Sequence, residues 1–348
     1  MAIATISNLW TPAIWLQGMR ERQNTFPSIL NSGVAVGNAI FDNIASGAGV
    51  SANVPFFLDI SNQSDAIQVE DTAPTIQGVT SGLQIAPILN RETNNRVTAL
   101  AAQVSGADPV GEFINVLTIR RLKQRNATLI ALLRGAFAGL GASGATAALD
   151  DVRLDAFDET GNDATSSQTM GADLFITGKA LLGELADSLM NGALIAHPNV
   201  IASLERADKD SFKDGVESGL PFTVRTYRGV PVFSSSLLVR AGTTNGYVYE
   251  TYLLAQGIVA KGEKPQVGGT PASPAIDVAS LNYNPDVNLN NERIYDRTQF
   301  VMHLNGMKFT GTPSGQSATN AELATAASWE LVYQTADRVG AVCFRTNA

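Results

Sequence analysis

This chain of 348 residues has one cysteine, Cys343, and two histidines, His197 and His303. A single thiol permits no internal disulfide and excludes a zinc site built on cysteines, which fits a reducing compartment. The three residues could in principle supply a Cys/His pair, but no local nucleophile signature accompanies them. GxSxG, HExxH, P-loop and CxxC patterns are missing as well. Positive charge is scarce: 24 Lys and Arg stand against 32 Asp and Glu, a net charge of −8. The surface as a whole does not attract nucleic acid, so any such contact needs a local basic face. No lysine precedes Lys123. The N-terminus, MAIATISNLW, lacks the charged n-region of a secretory signal. Long apolar runs are missing too. The best candidate, Leu129 to Leu149, carries Arg134 and is rich in Gly and Ala, so no membrane partner is expected.

What is present is 45% hydrophobic residues, ample for a core, on a length that suggests about two domains. The longest segment with one structural reading is 108 to 141, DPVGEFINVLTIRRLKQRNATLIALLRGAFAGLG. Asp108 suits an N-cap, Pro109 the first helical position and Gly141 the exit. About thirty helical residues make a rod on the order of 48 Å long. From Ile119 onward, Ile119, Leu122, Leu129, Ile130, Leu133, Phe137 and Leu140 fall on one side, and Arg120, Arg121, Gln124 and Arg125 on the other. In the first turns Val110, Phe113, Ile114 and Leu117 point where the arginines point later, so the helix is expected to meet two layers. The basic face admits two readings. It makes ion pairs to acidic residues of the same or a neighbouring chain, or it makes salt-dependent, non-specific contact with nucleic acid.

Residues 1 to 45 alternate apolar groups with breakers, and cannot bury Trp10 and Trp15 against themselves; an arm lying on another surface is expected. In 46 to 98, Val54, Phe56 and Leu58 alternate with Pro55, Phe57 and Asp59, and β-prone runs around Ile67 to Val69 and Leu83 to Ile88 flank polar stretches. This reads as a long two-stranded excursion, which needs something to lie on. The acidic run Asp150, Asp151, Asp155, Asp158, Glu159, Asp163 lacks calcium-loop spacing and reads as a solvated loop. From Ala172 the pattern is compact α/β: a strand at Leu174 to Ile176, a helix from Lys179 to Met190, a buried strand at Ala193 to Ala196 and a helix opened by His197-Pro198. Strands follow in TVRTYRGVPVFSSSLLV and NGYVYETYLLAQGIVAKG. Residues 292 to 310 read as a hairpin with a type I′ turn at Asn305-Gly306. A short helix capped near Asn320 and a strand from Val339 to Phe344 close the chain. Gly139, Gly141 and Gly144 spell GxGxxG, with Asp158 and Glu159 beyond. A dinucleotide fingerprint must follow a strand, however, and this one continues a helix.

The order of arm, β excursion, long helix, α/β domain and closing β layer resembles the major capsid protein of tailed bacteriophages. NVPFFLDI looks like the start of that family's extended loop, and SGADP with LIALLRGAFAG like the two ends of its spine helix. NGALIAHPNVIASLERAD is similar to its HP-containing helix and RTYRGVPVFSS to its GvPV strand. GYVYETYLLAQGIV and RTQFVMHLNGMKFTG resemble its late β segments. The resemblance implies an α+β fold of the phage major-capsid type. Its parts would be an N-terminal arm (1–45), an extended β-hairpin loop (46–98), a peripheral domain with a spine helix over 109–140 (99–165), an axial α/β domain (166–274), β segments returning to the peripheral domain (275–315), and a C-terminal helix and strand (316–348). It implies a structural protein without catalytic, cofactor or metal residues. Such a protein assembles in the bacterial host cytoplasm and resides in the virion as pentamers and hexamers around double-stranded DNA. Trp10, Trp15, Phe56 and Phe57 are then expected at inter-subunit contacts, and Arg120, Arg121 and Arg125 on a face toward the lumen and its DNA or toward a neighbour. The partners implied are further copies of the chain, a separate scaffolding protein, a portal and a decoration protein. A separate scaffold is expected because the family-like body starts within about fifty residues of Met1. With no lysine in the loop, no covalent cross-link from it is expected. An encapsulin-like compartment shares the same implied fold, and a dinucleotide-binding oxidoreductase using Gly139, Gly141 and Gly144 is the enzyme alternative.

Overall fold

The computed structural model describes residues 29–57, 81–98, 109–138, 152–157, 168–216, 224–242, 246–264, 281–286 and 291–347. Trp10, Trp15, most of the arm, the tip of the excursion and the glycines of the GxGxxG pattern lie outside these residues. In chain order the elements are β1 (Ala35–Gly37), α1 (Ala39–Ser46), β2 (Ser51–Phe57), β3 (Ser81–Thr98), α2 (Pro109–Phe137) and β4 (Arg153–Ala156). Then come α3 (Ala172–Leu181), β5 (Ala193–Ala196), α4 (Pro198–Ala207), β6 (Phe212–Val216), β7 (Val224–Tyr227), β8 (Val230–Ser234) and β9 (Val239–Ala241). The last are β10 (Tyr247–Leu254), β11 (Val259–Glu263), β12 (Leu281–Asp286), β13 (Asn291–Leu304), β14 (Met307–Phe309), α5 (Asn320–Leu323), β15 (Trp329–Leu331) and β16 (Ala341–Thr346).

The described strands form a six-stranded sheet in the order β1-β11-β13-β3-β2, with β12 also on β13, and an eight-stranded sheet in the order β4-β16-β10-β5-β8-β7-β6, with β9 on β10. β14 and β15 pair separately. This is an α+β fold. The six-stranded sheet divides two cores, because successive strand residues point to opposite faces. Leu89, Val259, Phe300, Met302 and Leu304 belong to the main core. Their neighbours Ile88, Ala260 and Val301 join Phe41, Ala45 and Ala86 in a small second core. α1 covers that second core, and Gly262 permits the approach, since a Cβ there would lie 2.2 Å from the Phe41 backbone. The eight-stranded sheet is centred on β10, whose residues from Val248 to Leu254 are all buried.

Several sequence expectations are corrected. The segment from Leu174 to Ile176 is helical, within α3: Phe175 is buried, and Gly178 lets the helix sit on Phe344, whose ring a Cβ would meet at 2.2 Å. Packing outweighs the β-branched run. The expected helix from Lys179 to Met190 is the end of α3 followed by a 3₁₀ segment, Gly183–Asn191. β14 does not return along β13 but pairs with β15, Met307 opposite Leu331. Gly306 has φ 86° while Asn305 has no positive φ, so the turn is not type I′. At its root the excursion lies on the six-stranded sheet, where β3 runs between β2 and β13. Not all of 1–45 is an arm: Ile29, Leu30 and Val34 are buried in the main core, and β1 pairs parallel to β11. α2 ends at Phe137, and Ile119, expected on the buried side, is 38% exposed. None of the described helices is long and apolar enough to cross a membrane.

Candidate functional site

The middle of α2 presents its basic residues to solvent and to the six-stranded sheet, while the helix end is fixed elsewhere. Arg134 Nε donates to Glu250 Oε2 at 2.7 Å, and Arg134 Nη2 to the Leu237 carbonyl at 3.1 Å. The Glu250 side chain is only 2% exposed. Burial pulls the Arg134 pKa down, but the Glu250 carboxylate more than offsets it, so the net direction is upward. At the terminus, the Phe137 carbonyl accepts from Arg153 Nη1 at 2.8 Å and Arg345 Nη2 at 3.3 Å. Two guanidiniums thus meet the negative end of the helix dipole. Asp155 balances both, 3.2 Å from Arg153 Nε and 3.9 Å from Arg345 Nε, without hydrogen-bond alignment. Gly135 lets Trp329 close in, because a Cβ would lie 2.6 Å from Trp329 Nε1 and 2.0 Å from the Leu323 carbonyl.

With that end anchored, α2 and the sheet flank a cleft that is open to solvent. Its lining combines Arg120, Arg121, Gln124, Arg125 and Thr128 of α2 with Arg91 and Thr93 of β3 and Thr298 and Phe300 of β13. The β register makes this wall, setting Thr298 opposite Arg91 and Phe300 opposite Leu89. Arg120 is exposed and Arg121 half-buried. Arg125 is ion-paired with Glu263 and lies over the Phe300 ring, 4.9 Å from its centroid. Arg91 is held by neutral acceptors: Nη1 donates to Asn90 O and Ser317 Oγ, Nη2 to Ala318 O at 2.6 Å and Asn320 Oδ1 at 3.4 Å. Burial lowers its pKa, against the more distant field of Glu322. The structure therefore brings the three arginines read from the helix into one cleft and adds Arg91. That residue has no sequence signal, because only the strand register brings it there.

Phe56 and Phe57 separate. Phe56 is half-buried against Tyr333, rings edge to face at 5.6 Å, whereas Phe57 is 78% exposed. The Cys/His candidates also part. His197 caps α4, its Nδ1 accepting from Asn199 N at 3.2 Å, and Cys343 is buried in β16 with its pKa pushed up by burial. His303 lies in the other sheet, its Nε2 2.8 Å from Gln84 Oε1. That oxygen also accepts from Gly306 N–H at 3.3 Å, so Nε2 is the donor and the buried Nδ1 has no partner. Desolvation lowers the His303 pKa to about 4. Among the described residues no cluster of three His, Cys, Asp or Glu could hold a metal ion.

No protein-family model and no curated relative matches the chain by sequence. Solved structures match over nearly its whole length. The capsid of Ralstonia phage GP4 is 8% identical and aligns over 92% of this chain and 91% of that chain, with TM-score 0.57. The head of Helicobacter pylori bacteriophage KHP40 is 10% identical over 92% of this chain and 90% of that chain, with TM-score 0.52. An encapsulin complex from Synechococcus elongatus is 14% identical over 84% of this chain and 82% of that chain, with TM-score 0.45. The fold is that of phage capsid proteins.

Proposed function

We propose that this chain is the major shell subunit of a tailed phage, assembling as pentamers and hexamers into an icosahedral capsid around double-stranded DNA. The observation that carries the reading is the fold match to the Ralstonia phage capsid across almost all of both chains. The subunit's own physics supports it. A 29-residue helix is fixed at one end by Arg134, Arg153 and Arg345, which suits a rigid strut. Strand β2 contains no buried residue, and its terminal Phe57 and the adjoining Leu83 of β3 stand exposed. An apolar edge of this kind gains burial when a second copy covers it. On this reading the eight-stranded sheet is the axial domain, and α2 with the six-stranded sheet forms the peripheral domain and the extended loop. A scaffolding protein, a portal and a decoration protein are the further partners such a shell would use. Arg120 and Arg121 would contact either packaged DNA or a neighbour.

Negative-stain microscopy of the purified protein, alone and co-expressed with the products of adjacent genes, tests the reading. Closed shells of uniform diameter are expected; a chain that stays a monomer or small oligomer under both conditions would overturn it.

A further inference from the structure

We propose that α1 is a clasp over the six-stranded sheet and that protonation of His303 beneath it releases the helix, freeing both edge strands of that sheet together. The inference concerns the subunit itself and goes beyond the shell reading. β1 and β2 lie at opposite ends of the sheet order, and the short segment between them carries α1 across β11, β13 and β3. Few bonds hold that crossing. Asp42 Oδ1 accepts from Glu263 N at 2.9 Å, and Gln299 Nε2 donates to the Gly47 carbonyl at 2.9 Å. Phe41 and Ala45 supply the buried apolar contacts, while Ile40, Asn43 and Ser46 face solvent. α1 is therefore the layer that separates His303 from water on that face.

Beneath it, His303 is fully buried and is satisfied only as the neutral ring. Nε2 donates to Gln84 Oε1 at 2.8 Å, an oxygen that Gly306 N–H also uses, and the Gln84 side chain further bonds Tyr333. Nδ1 has no hydrogen-bond partner. A second proton would make Nδ1 a donor with nothing to receive it in an otherwise apolar core, and an unpaired buried charge is expensive. The Phe41 ring, stacked at 6.2 Å, lies just outside the roughly 6 Å reach of a cation–π attraction. The surrounding charges are committed elsewhere. On α1 the titratable group is Asp42, engaged by the Glu263 N–H. On β11, Lys261 and Glu263 leave by the opposite face, to the Leu30 carbonyl and to Arg125. Residues 81–89 of β3 and 51–57 of β2 carry no titratable group. Arg297 of β13 pairs with Glu92, Lys308 of β14 pairs with Glu330, and burial keeps the Tyr333 phenol neutral. A charged ring gains water only by lifting α1. Because His303 is neutral when covered and charged when uncovered, release is favoured as pH falls from 6.5 toward about 4. Lifting the helix unties β1 and β2 alike, since one segment carries all three elements.

The test is thiol labelling of the full, unassembled chain carrying A45C, which places a thiol on the covered side of α1, where Ala45 is fully buried. Cys343, buried in the other sheet, is the internal control for global unfolding. Dithiodipyridine reacts with thiols in acid, and rates are scaled to those of the denatured chain at the same pH. Labelling at position 45 is expected to rise about a hundredfold between pH 6.5 and 4, while Cys343 stays protected. Adding H303Q is expected to abolish the rise. The chain has two histidines, so ring ¹³C spectra of A45C give a second readout without further substitution. His303 should take up its proton in step with labelling at position 45, and if A45C/H303Q does not fold this readout decides alone. Labelling at position 45 that ignores pH, a rise that persists in A45C/H303Q, or protonation of His303 uncoupled from labelling would each overturn the proposal. So would labelling of Cys343 in parallel with position 45, since that is unfolding of the whole chain and not release of one helix.

Discussion

The two sheets of this molecule solve burial in different ways. The eight-stranded sheet buries its central strand: β10 is flanked by β16 and β5, and Glu250, a buried carboxylate on it, is met by Arg134. The six-stranded sheet is open at β2. The second core beneath it is small, with Phe41, Ala45, Ala86, Ile88, Ala260 and Val301 as its buried members. It also encloses a histidine with an unbonded nitrogen. The first sheet satisfies its own burial, whereas the second leaves an exposed edge that the proposed assembly would cover.

The sharpest way to break this contrast is to attack the finished side. Replacing Arg134 with Ala leaves Glu250 buried and unpaired and is expected to cost roughly 3–5 kcal/mol, read by urea unfolding of unassembled protein. A loss under about 1 kcal/mol would mean that the ion pair does not weld helix to sheet. On the open side the expected effect depends on pH. Burial holds the folded His303 pKa at about 4, below the ordinary value of 6.5. Between those values the unfolded chain binds more protons, so stability rises with pH across that window and falls on acidification. The contribution is about 3 kcal/mol. His303→Gln should flatten this dependence between pH 6.5 and 4. Hydrogen exchange at residues 39–57 and 81–89 should show the loss of protection there in the parent before β10 is affected. An unchanged pH profile in the variant would remove His303 as the cause.

The smallest expected effect on folding is at Phe57. Phe57→Ser should shift unfolding of the isolated chain by less than about 0.5 kcal/mol, because the ring is 78% exposed. It should nevertheless reduce particle yield severalfold by sedimentation. Normal yield would show that this edge is not an interface.

How much of this could be read from the sequence follows the same division. α2 was legible because Asp108-Pro109 marks its start and a periodic apolar face runs to Phe137. β5, α4 and β10 were legible from dense apolar runs and the His197-Pro198 cap. β3 was legible only in its first half. Its second half, Asn90 to Thr98, is NRETNNRVT, and is held as a strand by pairing with β13 over Asn291 to Val301, a partner about two hundred residues away. The course of β14 was hidden for a related reason, since Asn305-Gly306 suggests a local return whereas Trp329 to Leu331 supplies the pairing. For the cleft, helical spacing revealed Arg120, Arg121 and Arg125, but neither Arg91 nor the Glu263 partner of Arg125 could be inferred from spacing. Non-local pairing makes both contacts, and it leaves no periodic trace.

The contrast between the two sheets is tested most directly by comparing hydrogen exchange in unassembled and assembled protein. The account expects β10 and β16 to be strongly protected in both states, and β2 with the adjoining part of β3 to gain protection only on assembly. Equal protection of β2 and β3 in the unassembled chain would contradict it.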